Sequence, residues 1–347
     1  GVLHCAGVDV DWAKLLGDAR GAVELPTYAF EHSRYWLEGA GGAGDLRAAG
    51  LGDAAHPLLG AAVALADGQG YVLTGRLSPA TQPWLAGHVV GGVVLVPGTA
   101  MVELAARAAH EAGCGTVREL TLHAPLVIPD TGAVQLQLVV GPAGPDGTHE
   151  LGMHARPEGE EAWTRHASGL LDAGEPAAPG DLASWPPAGA SAVPIDGLYE
   201  RLADAGVVYD PVYHGLRQVW RRDGAVFAEV ALPDGVAAQG AAYALHPVLL
   251  DAALQAWLAP GLGPVADRPD APARMPFTWS GVTVHRGGAD RLRVRITAAG
   301  DDGVAVEAAD ETGTPVLSVA AMVLRPVPTG QLRVADRSLF RVAWSPW

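Results

Sequence analysis

The stretch His88-Val-Val-Gly-Gly92-Val-Val-Leu-Val-Pro97-Gly98-Thr99-Ala-Met101 decides how the chain is interpreted, because a histidine and an apolar run lead there into a helix start. Pro97 lacks a backbone donor and small residues follow it, so we expect a helix over residues 101–111 with free N–H groups at its beginning. Most faces of this helix are apolar, which favours a buried helix with a fixed N-terminus. Fixed N–H donors beside a histidine suit a reaction that passes through an enolate-like oxyanion. A buried structural histidine is the alternative interpretation of His88.

Length and composition indicate a globular chain. It has 347 residues, of which 49% are hydrophobic and 18% are charged, enough for two domains or one double domain with sizeable cores. The net charge of −15 argues against binding to nucleic acid, which requires clustered basic residues. No apolar window is long enough for a membrane span, and the first residues lack the pattern of a signal peptide. Cys5 and Cys114 lie far apart in dissimilar contexts, so we expect no disulfide and a cytoplasmic location.

Hydrophobic periodicity divides the chain into two similar parts. Apart from the helix at residue 101, the first part has strand-like segments over residues 71–77, 134–140, 149–156 and 163–171. The second part has a short helix over residues 195–205, a helix from Pro247 through Leu258, and strand-like segments within residues 220–232, 291–297, 304–308 and 316–324. One apolar helix among antiparallel strands, repeated in tandem, predicts the α+β class.

The second of these helices carries another candidate for chemistry. In His246-Pro247-Val-Leu-Leu-Asp251-Ala-Ala-Leu-Gln255, the carboxyl and amide side chains are four residues apart and therefore share a face. Burial would raise the pKa of Asp251, whereas the helix N-terminus would lower it. If burial dominates, Asp251 serves as a general acid near neutral pH. A solvated Asp that stabilises its own helix is the alternative, and we expect His246 to cap the helix.

The motifs of several other catalytic classes do not occur in the sequence. It has no H-E-x-x-H, no C-x-x-C and no His and carboxylate cluster with ligand spacing, so we expect no metal. It also has no G-x-S-x-G elbow and no Walker loop, which disfavours a serine hydrolase or a nucleotide-binding protein. Acid and base catalysis without a cofactor remains.

The opening stretch and the Asp251 helix resemble two signatures of the dehydratase domains of modular type I polyketide synthases. His88, Gly92 and Pro97 match H-x-x-x-G-x-x-x-x-P, and Asp251 and Gln255 match D-x-x-x-Q.

Two further stretches extend this resemblance. In residues 206–215, Tyr209, Pro211 and Gly215 match G-Y-x-Y-G-P-x-F-x-G, and Met275-Pro-Phe-Thr-Trp279 is similar to L-P-F-x-W. Four signatures in the family's order make the resemblance specific, and it covers the entire chain.

This resemblance implies a double hot dog, in which each of two tandem units wraps an antiparallel sheet around one long helix. It also implies the following division of the chain: a post-acyltransferase linker over residues 1–50, an N-terminal hot-dog half with the catalytic His over 51–175, a connector over 176–194, a C-terminal half with the catalytic Asp over 195–330, and a linker toward a ketoreductase structural region over 331–347.

The same resemblance implies a dehydratase that eliminates water from a β-hydroxyacyl thioester on an acyl carrier protein. His88 would remove the α-proton, and protonated Asp251 would donate to the departing β-hydroxyl. N–H groups near Gly98 would hold the thioester oxygen, while Tyr209 and Gln255 would orient the reacting groups. No cofactor is implied. The implied partners are the carrier protein, neighbouring acyltransferase and ketoreductase regions, and a second copy in a homodimer.

The third signature departs from the family at three positions. Val207 replaces a tyrosine, Asp210 a glycine, and Tyr213 a phenylalanine. Asp210 would narrow a tunnel or add a carboxylate, unless it is a solvated turn residue. A double-bond isomerase or pyran-forming cyclase of the same fold therefore remains an alternative. A non-catalytic scaffold is a further one, although the presence of both His88 and Asp251 argues against it.

A group of arginines follows the third signature in a chain that is otherwise acidic. These residues are Arg217, Arg221 and Arg222. Because carrier proteins of this kind are acidic, we expect them to form part of a docking patch. A solvated strand edge without a partner is the alternative.

Overall fold

The computed structural model describes residues 5–16, 46, 48, 50–129, 132–174, 180, 182–259, 274–300 and 303–326. The chain divides into two units, Gly1–Ala43 and Gly44–Trp347. In the first unit the structure describes one short helix, α1 (Trp12–Leu16). Most of the expected linker over residues 1–50, and all of that over residues 331–347, lie outside the described residues.

The second unit consists mainly of strands. Those in its first half are β1 (Gly52–His56), β2 (Leu59–Ala64), β3 (Tyr71–Leu77), β4 (His88–Val90), β5 (Val93–Val94), β6 (Thr116–Leu122), β7 (Val134–Ala143), β8 (His149–Pro157) and β9 (Thr164–Asp172). Those in its second half are β10 (Ser191–Val193), β11 (Val207–Tyr209), β12 (Leu216–Arg222), β13 (Ala225–Ala231), β14 (Arg274–Val284), β15 (Arg291–Ala299), β16 (Gly303–Ala309) and β17 (Pro315–Pro326). The α-helices are α2 (Gly98–Glu111), α3 (Leu198–Asp204), α4 (Asp234–Ala237) and α5 (Pro247–Gln255).

One 14-stranded sheet runs through both halves in the order β1-β2-β3-β7-β8-β9-β6-β14-β17-β16-β15-β13-β12-β10. Its strand pairs are antiparallel, and every second residue along much of β7 is buried, as expected where one face of a sheet covers a core. The halves meet where β6 pairs with β14, with Leu120 opposite Trp279. Both of these side chains are fully buried, so the join lies inside the core.

A central helix occupies each half, as the sequence predicts. Helix α2 packs against β6, β9 and β14, whereas α5 packs against β12, β13 and β15, and the two helices also contact each other. Helix α2 begins at Gly98 rather than at residue 101, and Pro97 is its N-cap residue. Helix α5 begins at Pro247 and ends at Gln255, and the expected continuation to Leu258 is a 3₁₀ turn. The α+β class is confirmed.

A second, small sheet was not expected from the sequence. It has three strands in the order β11-β4-β5, so a strand of the second half pairs with a strand of the first. In this antiparallel pair Tyr209 lies opposite His88. The small sheet therefore brings two of the expected site residues together across the halves.

Candidate active site

His88 lies at the start of β4 and is held by a tight hairpin. Its ring Nδ1 is 3.0 Å from the carbonyl oxygen of Leu95. A carbonyl oxygen only accepts hydrogen bonds, so Nδ1 carries the proton and Nε2 keeps a free lone pair. Gly92 follows β4 with a φ of 80°, a conformation that side chains disfavour, and this allows the chain to turn back into β5. The fold thus supplies a buried imidazole in the tautomer that a base requires.

The beginning of α2 lies beside this histidine. Gly98 and Thr99 are buried there, and the first described bond of the turn is donated by Ala100 N–H to the carbonyl of Pro97 at 3.0 Å. The earlier N–H groups of an α-helix have no partner within the helix, so they are available to an anion or a polarised carbonyl.

Asp251 lies in the second turn of α5 and is 7% exposed. Burial raises the pKa of this carboxyl, while the nearby imidazole of His88, when protonated, and hydrogen bonding by Tyr209 and Gln255 oppose the increase. The net direction is upward, which favours the protonated form. The cap of this helix is His246, whose Nδ1 accepts the Val248 N–H at 3.2 Å, as expected.

One cavity brings the candidate chemical groups together. Its volume is about 60 Å³, and its lining includes His88, Gly98, Tyr209, Asp251 and Gln255. These are the five residues for which the family resemblance implies base, acid, oxyanion and orienting roles.

A larger, mainly apolar cavity lies next to this one. It has a volume of about 270 Å³, and its lining shares Gly98, Met275 and Pro276 with the smaller cavity. The N-terminus of α2 therefore lies where the two cavities meet.

Three other signature residues, Pro97, Pro211 and Gly215, shape the site without lining the small cavity. Pro97 is the N-cap residue of α2, and Pro211 begins a 3₁₀ turn after β11. At Gly215 an added Cβ would lie 2.8 Å from the carbonyl oxygen of Ala231 and 2.9 Å from Cβ of Ala252, so only glycine allows β12 to approach α5 this closely.

The three residues that depart from the family pattern differ in how deeply they are buried. Asp210 is exposed, and its backbone N–H donates to the carbonyl of Gly87 at 2.9 Å. Its carboxylate therefore does not line the small cavity, and the interpretation as a solvated turn residue fits best. Val207 does line that cavity. Tyr213 is fully buried, with its ring centroid 5.9 Å from that of His88.

Two polar residues near the site were missed at the sequence level. The hydroxyl of Tyr199 donates to Gln255 Oε1 at 3.0 Å. Glu103 of α2 accepts the N–H groups of Ala244 and Leu245 at 2.7 Å, just before α5. A carboxylate within an otherwise apolar helix was the available signal for Glu103, whereas nothing in the local pattern marked Tyr199.

Comparisons with known proteins identify the family and agree with the fold. Residues 56–156 match the family described as polyketide synthase dehydratase domain, and residues 177–333 match the polyketide synthase dehydratase N-terminal domain. The polyketide synthase GfsA of Streptomyces halstedii is 52% identical over 358 residues, covering 99% of this chain and 5% of that protein. The chain thus spans a small part of this curated relative.

Two solved structures show the same fold. A structure from work on dehydratase substrate selection for the borrelidin and fluvirucin polyketide synthases is 45% identical, with a TM-score of 0.75, and covers 82% of this chain and 100% of its own. A bifunctional dehydratase-cyclase domain from ambruticin biosynthesis is 41% identical, with a TM-score of 0.73, and covers 80% of this chain and 98% of its own. The two-part sheet with its central helices is thus a double hot dog, and the chain belongs to the polyketide synthase dehydratase domain family.

Proposed function

We propose that this domain eliminates water from a β-hydroxyacyl thioester carried on an acyl carrier protein, with His88 as base and Asp251 as acid. The observation that carries this proposal is the shared cavity, which is lined by both side chains and by Gly98 at a helix N-terminus. A base, an acid and oxyanion donors that all touch one substrate are what a β-elimination requires.

In the proposed reaction, Nε2 of His88 removes the α-proton and the electron pair of the C–H bond moves into the thioester as an enolate. N–H groups near Gly98 hold the enolate oxygen. The electrons then form the Cα–Cβ double bond as the β-hydroxyl leaves, and Asp251 supplies the proton that completes the water molecule. The α,β-enoyl thioester remains, and proton transfer from His88 restores Asp251. A single proton shuttled by His88 is the alternative, in which Asp251 only binds the hydroxyl.

No step of this scheme calls for a cofactor, because each bond change is a proton transfer or a loss of water. We propose that the larger cavity holds a further part of the thioester, since it meets the smaller cavity at Gly98. We further propose that neighbouring acyltransferase and ketoreductase regions flank the domain through linkers over residues 1–50 and 331–347, and that two copies form a homodimer.

The exposure of Asp210 bears on the cyclase and isomerase alternatives. This carboxyl kept them open because it could have added a second acid or base to the site. It is exposed and is not part of the cavity lining, so Asp210 adds no second carboxylate to the small cavity and the described site favours dehydration.

The experiment that tests the proposal is an assay of the purified protein with a β-hydroxyacyl N-acetylcysteamine thioester, with product identified by mass. We expect loss of 18 Da, roughly the mass of one water, and about a 10²–10⁴-fold lower rate for His88→Ala. His110→Ala, at the exposed end of α2, is the matched control and should retain activity. Failure of the parent protein to dehydrate any such thioester would refute the proposal.

A further inference from the structure

Tyr199 is connected to Asp251 of α5 through the side-chain amide of Gln255. Its hydroxyl donates to Gln255 Oε1 at 3.0 Å. The amide nitrogen of Gln255 lies 3.3 Å from the carbonyl oxygen of Tyr213 and 3.4 Å from Oδ2 of Asp251. Because a carbonyl oxygen only accepts hydrogen bonds, the nitrogen has to face Tyr213, and the oxygen of the amide therefore faces Tyr199. The orientation of the amide is thus determined by its surroundings.

Contacts on other sides hold the phenol of Tyr199 in place. Its ring stacks on that of His214, with centroids 3.6 Å apart and planes 13° from parallel. His214 in turn bonds the carbonyl oxygen of Tyr209 through Nε2 at 3.0 Å. The backbone N–H of Leu216 is near enough to the phenol to oppose the effect of burial on its pKa. Burial raises the pKa of Tyr199 to about 12, so this proton is retained at neutral pH.

We propose that Tyr199 is a positioning residue, which fixes the amide of Gln255 so that its nitrogen donates to the Asp251 carboxyl as that carboxyl loses its proton. This inference rests on the proposed role of Asp251 as the acid. The amide contact with Asp251 is long in the unliganded site, and catalytic hydrogen bonds of this kind often tighten when substrate binds. Tyr199 itself does not line the cavity and touches no reacting atom.

The titratable groups around Asp251 also affect the pH dependence of the rate and have to be considered with it. The groups that influence the carboxyl or are influenced by it are His88 of β4, Tyr209 of β11, Tyr213 of the following turn, and Tyr199 of α3. Around Tyr199, the other titratable or charged groups are His214 and Arg217. Only Gln255 joins Tyr199 to Asp251 by hydrogen bonds within the described residues, so loss of the phenol should act through this amide.

The direction of the effect follows from the hydrogen bond. A donor to the carboxylate favours the ionised form and lowers the pKa of Asp251, so a loosened amide raises it. Activity requires protonated Asp251 and is lost as pH rises through its pKa. The alkaline limb of the pH–rate profile should therefore move to higher pH in Tyr199→Phe. Since the developing carboxylate is also less stabilised, kcat should fall about two- to tenfold, as for loss of one ordinary hydrogen bond.

The experiment is a pH–rate profile with the N-acetylcysteamine thioester for Tyr199→Phe, Gln255→Leu and the double variant. Gln255→Leu should move the alkaline limb in the same direction, and Tyr199→Phe should add nothing in the Gln255→Leu background. Tyr71→Phe, in β3, removes a phenol remote from the site and is the matched control. Thermal melting of each variant verifies that it is folded. The phenyl ring of the Tyr199→Phe variant retains the stacking contact with His214.

The outcomes separate this inference from the function on which it rests. Tyr199→Phe with the parent's kcat and alkaline limb would overturn the positioning role while leaving dehydration by His88 and Asp251 intact. An undiminished effect of Tyr199→Phe in the Gln255→Leu background would also overturn it, because the phenol would then act by another route. If instead Asp251→Asn retained the parent's activity, the proposed acid itself would be wrong.

Discussion

Tyr209 and His88 lie directly opposite each other in an antiparallel strand pair, although they belong to different halves of the chain. Their ring centroids are 5.5 Å apart. The pairing is extended by the backbone bond from Asp210 N–H to the carbonyl of Gly87. Backbone hydrogen bonds therefore set the distance between the proposed base and the phenol beside the proposed acid, whatever side chains surround them.

Asp251→Asn tests whether this carboxyl is an acid or a binding group. The amide keeps the size and much of the hydrogen bonding of the carboxyl, but it has no acidic proton. We expect dehydration of the N-acetylcysteamine thioester to slow by about 10²-fold or more. Asp234→Asn, at the exposed start of α4, is the matched control. A rate within about tenfold of the parent would assign Asp251 a binding role, because general acids contribute more than this.

The double variant that combines Asp251→Asn with His88→Ala is a second test of the same site. Because both residues serve one transition state, the combined loss should be much smaller than the product of the single losses. If the Asp251→Asn variant still exchanges the α-hydrogens of the thioester with deuterated solvent, His88 works as a base without its partner.

Glu103→Gln tests the connection between the two central helices. Glu103 is 2% exposed, and its oxygens accept from His56 Nε2 at 3.0 Å and from the N–H groups of Ala244 and Leu245. Replacing one oxygen by an NH₂ group places a donor against a donor, so we expect a loss of about 1–3 kcal/mol in the free energy of unfolding by urea. Glu119→Gln, on an exposed position of β6, should be close to neutral. Equal stabilities of the two variants would contradict this account.

The parts of the fold that the sequence could predict are those with a long periodic pattern. β7 alternates buried and partly buried residues over most of its length, and Pro97 and Pro247 mark helix starts through backbone chemistry. β4 and β11 have three residues each, which is too short for a period to be visible. The approach of Tyr209 to His88 was therefore expected only through family resemblance.

The candidate site was predictable to a similar extent. His88 and Asp251 could be selected because each stands before or within an apolar segment. A polar group buried there costs free energy unless it has a hydrogen-bond partner or a functional role. Tyr199 could not, because its partner Gln255 is 56 positions away along the chain and nothing in the short helix α3 points to it. Such long-range polar contacts depend on tertiary packing, which local patterns do not encode.

The arginines of β12 provide a test of carrier docking. Arg217, Arg221 and Arg222 are all exposed, but Arg222 also donates to the carbonyl of Ala188 at 3.1 Å and pairs with Asp223 at 3.3 Å. We therefore expect Arg217→Glu combined with Arg221→Glu to raise KM for a carrier-bound substrate and to leave KM for the small thioester unchanged, since charge steers association.

The matched control for this test carries the same change of charge elsewhere. Arg118→Glu combined with Arg165→Glu alters exposed positions of β6 and β9. Equal effects of the two double variants on the carrier-bound substrate would indicate a general charge effect, and equal effects on both substrates would count against docking at β12.

His246 should make the stability of the domain depend on pH. It is fully buried, and its Nδ1 caps α5 by accepting the Val248 N–H, which requires an unprotonated ring nitrogen. Burial lowers the pKa of His246 from 6.5 to about 4. Between these values the unfolded chain binds the proton and the folded chain does not, so the free energy of unfolding decreases as pH falls from 6.5 toward 4.

His246→Asn isolates this contribution, because asparagine also caps a helix but does not titrate. The other groups that respond to acid are the same in both proteins and cancel in the difference between their unfolding free energies. At pH 7 the histidine is unprotonated in both the folded and the unfolded parent protein. By about pH 4 the unfolding free energy of the parent, relative to that of the variant, should have fallen by about 2–3 kcal/mol. Urea unfolding at intervals across this range measures the difference. Parallel curves for the two proteins would mean that His246 is protonated as readily in the folded chain as in the unfolded one, and that its cap tolerates the added charge.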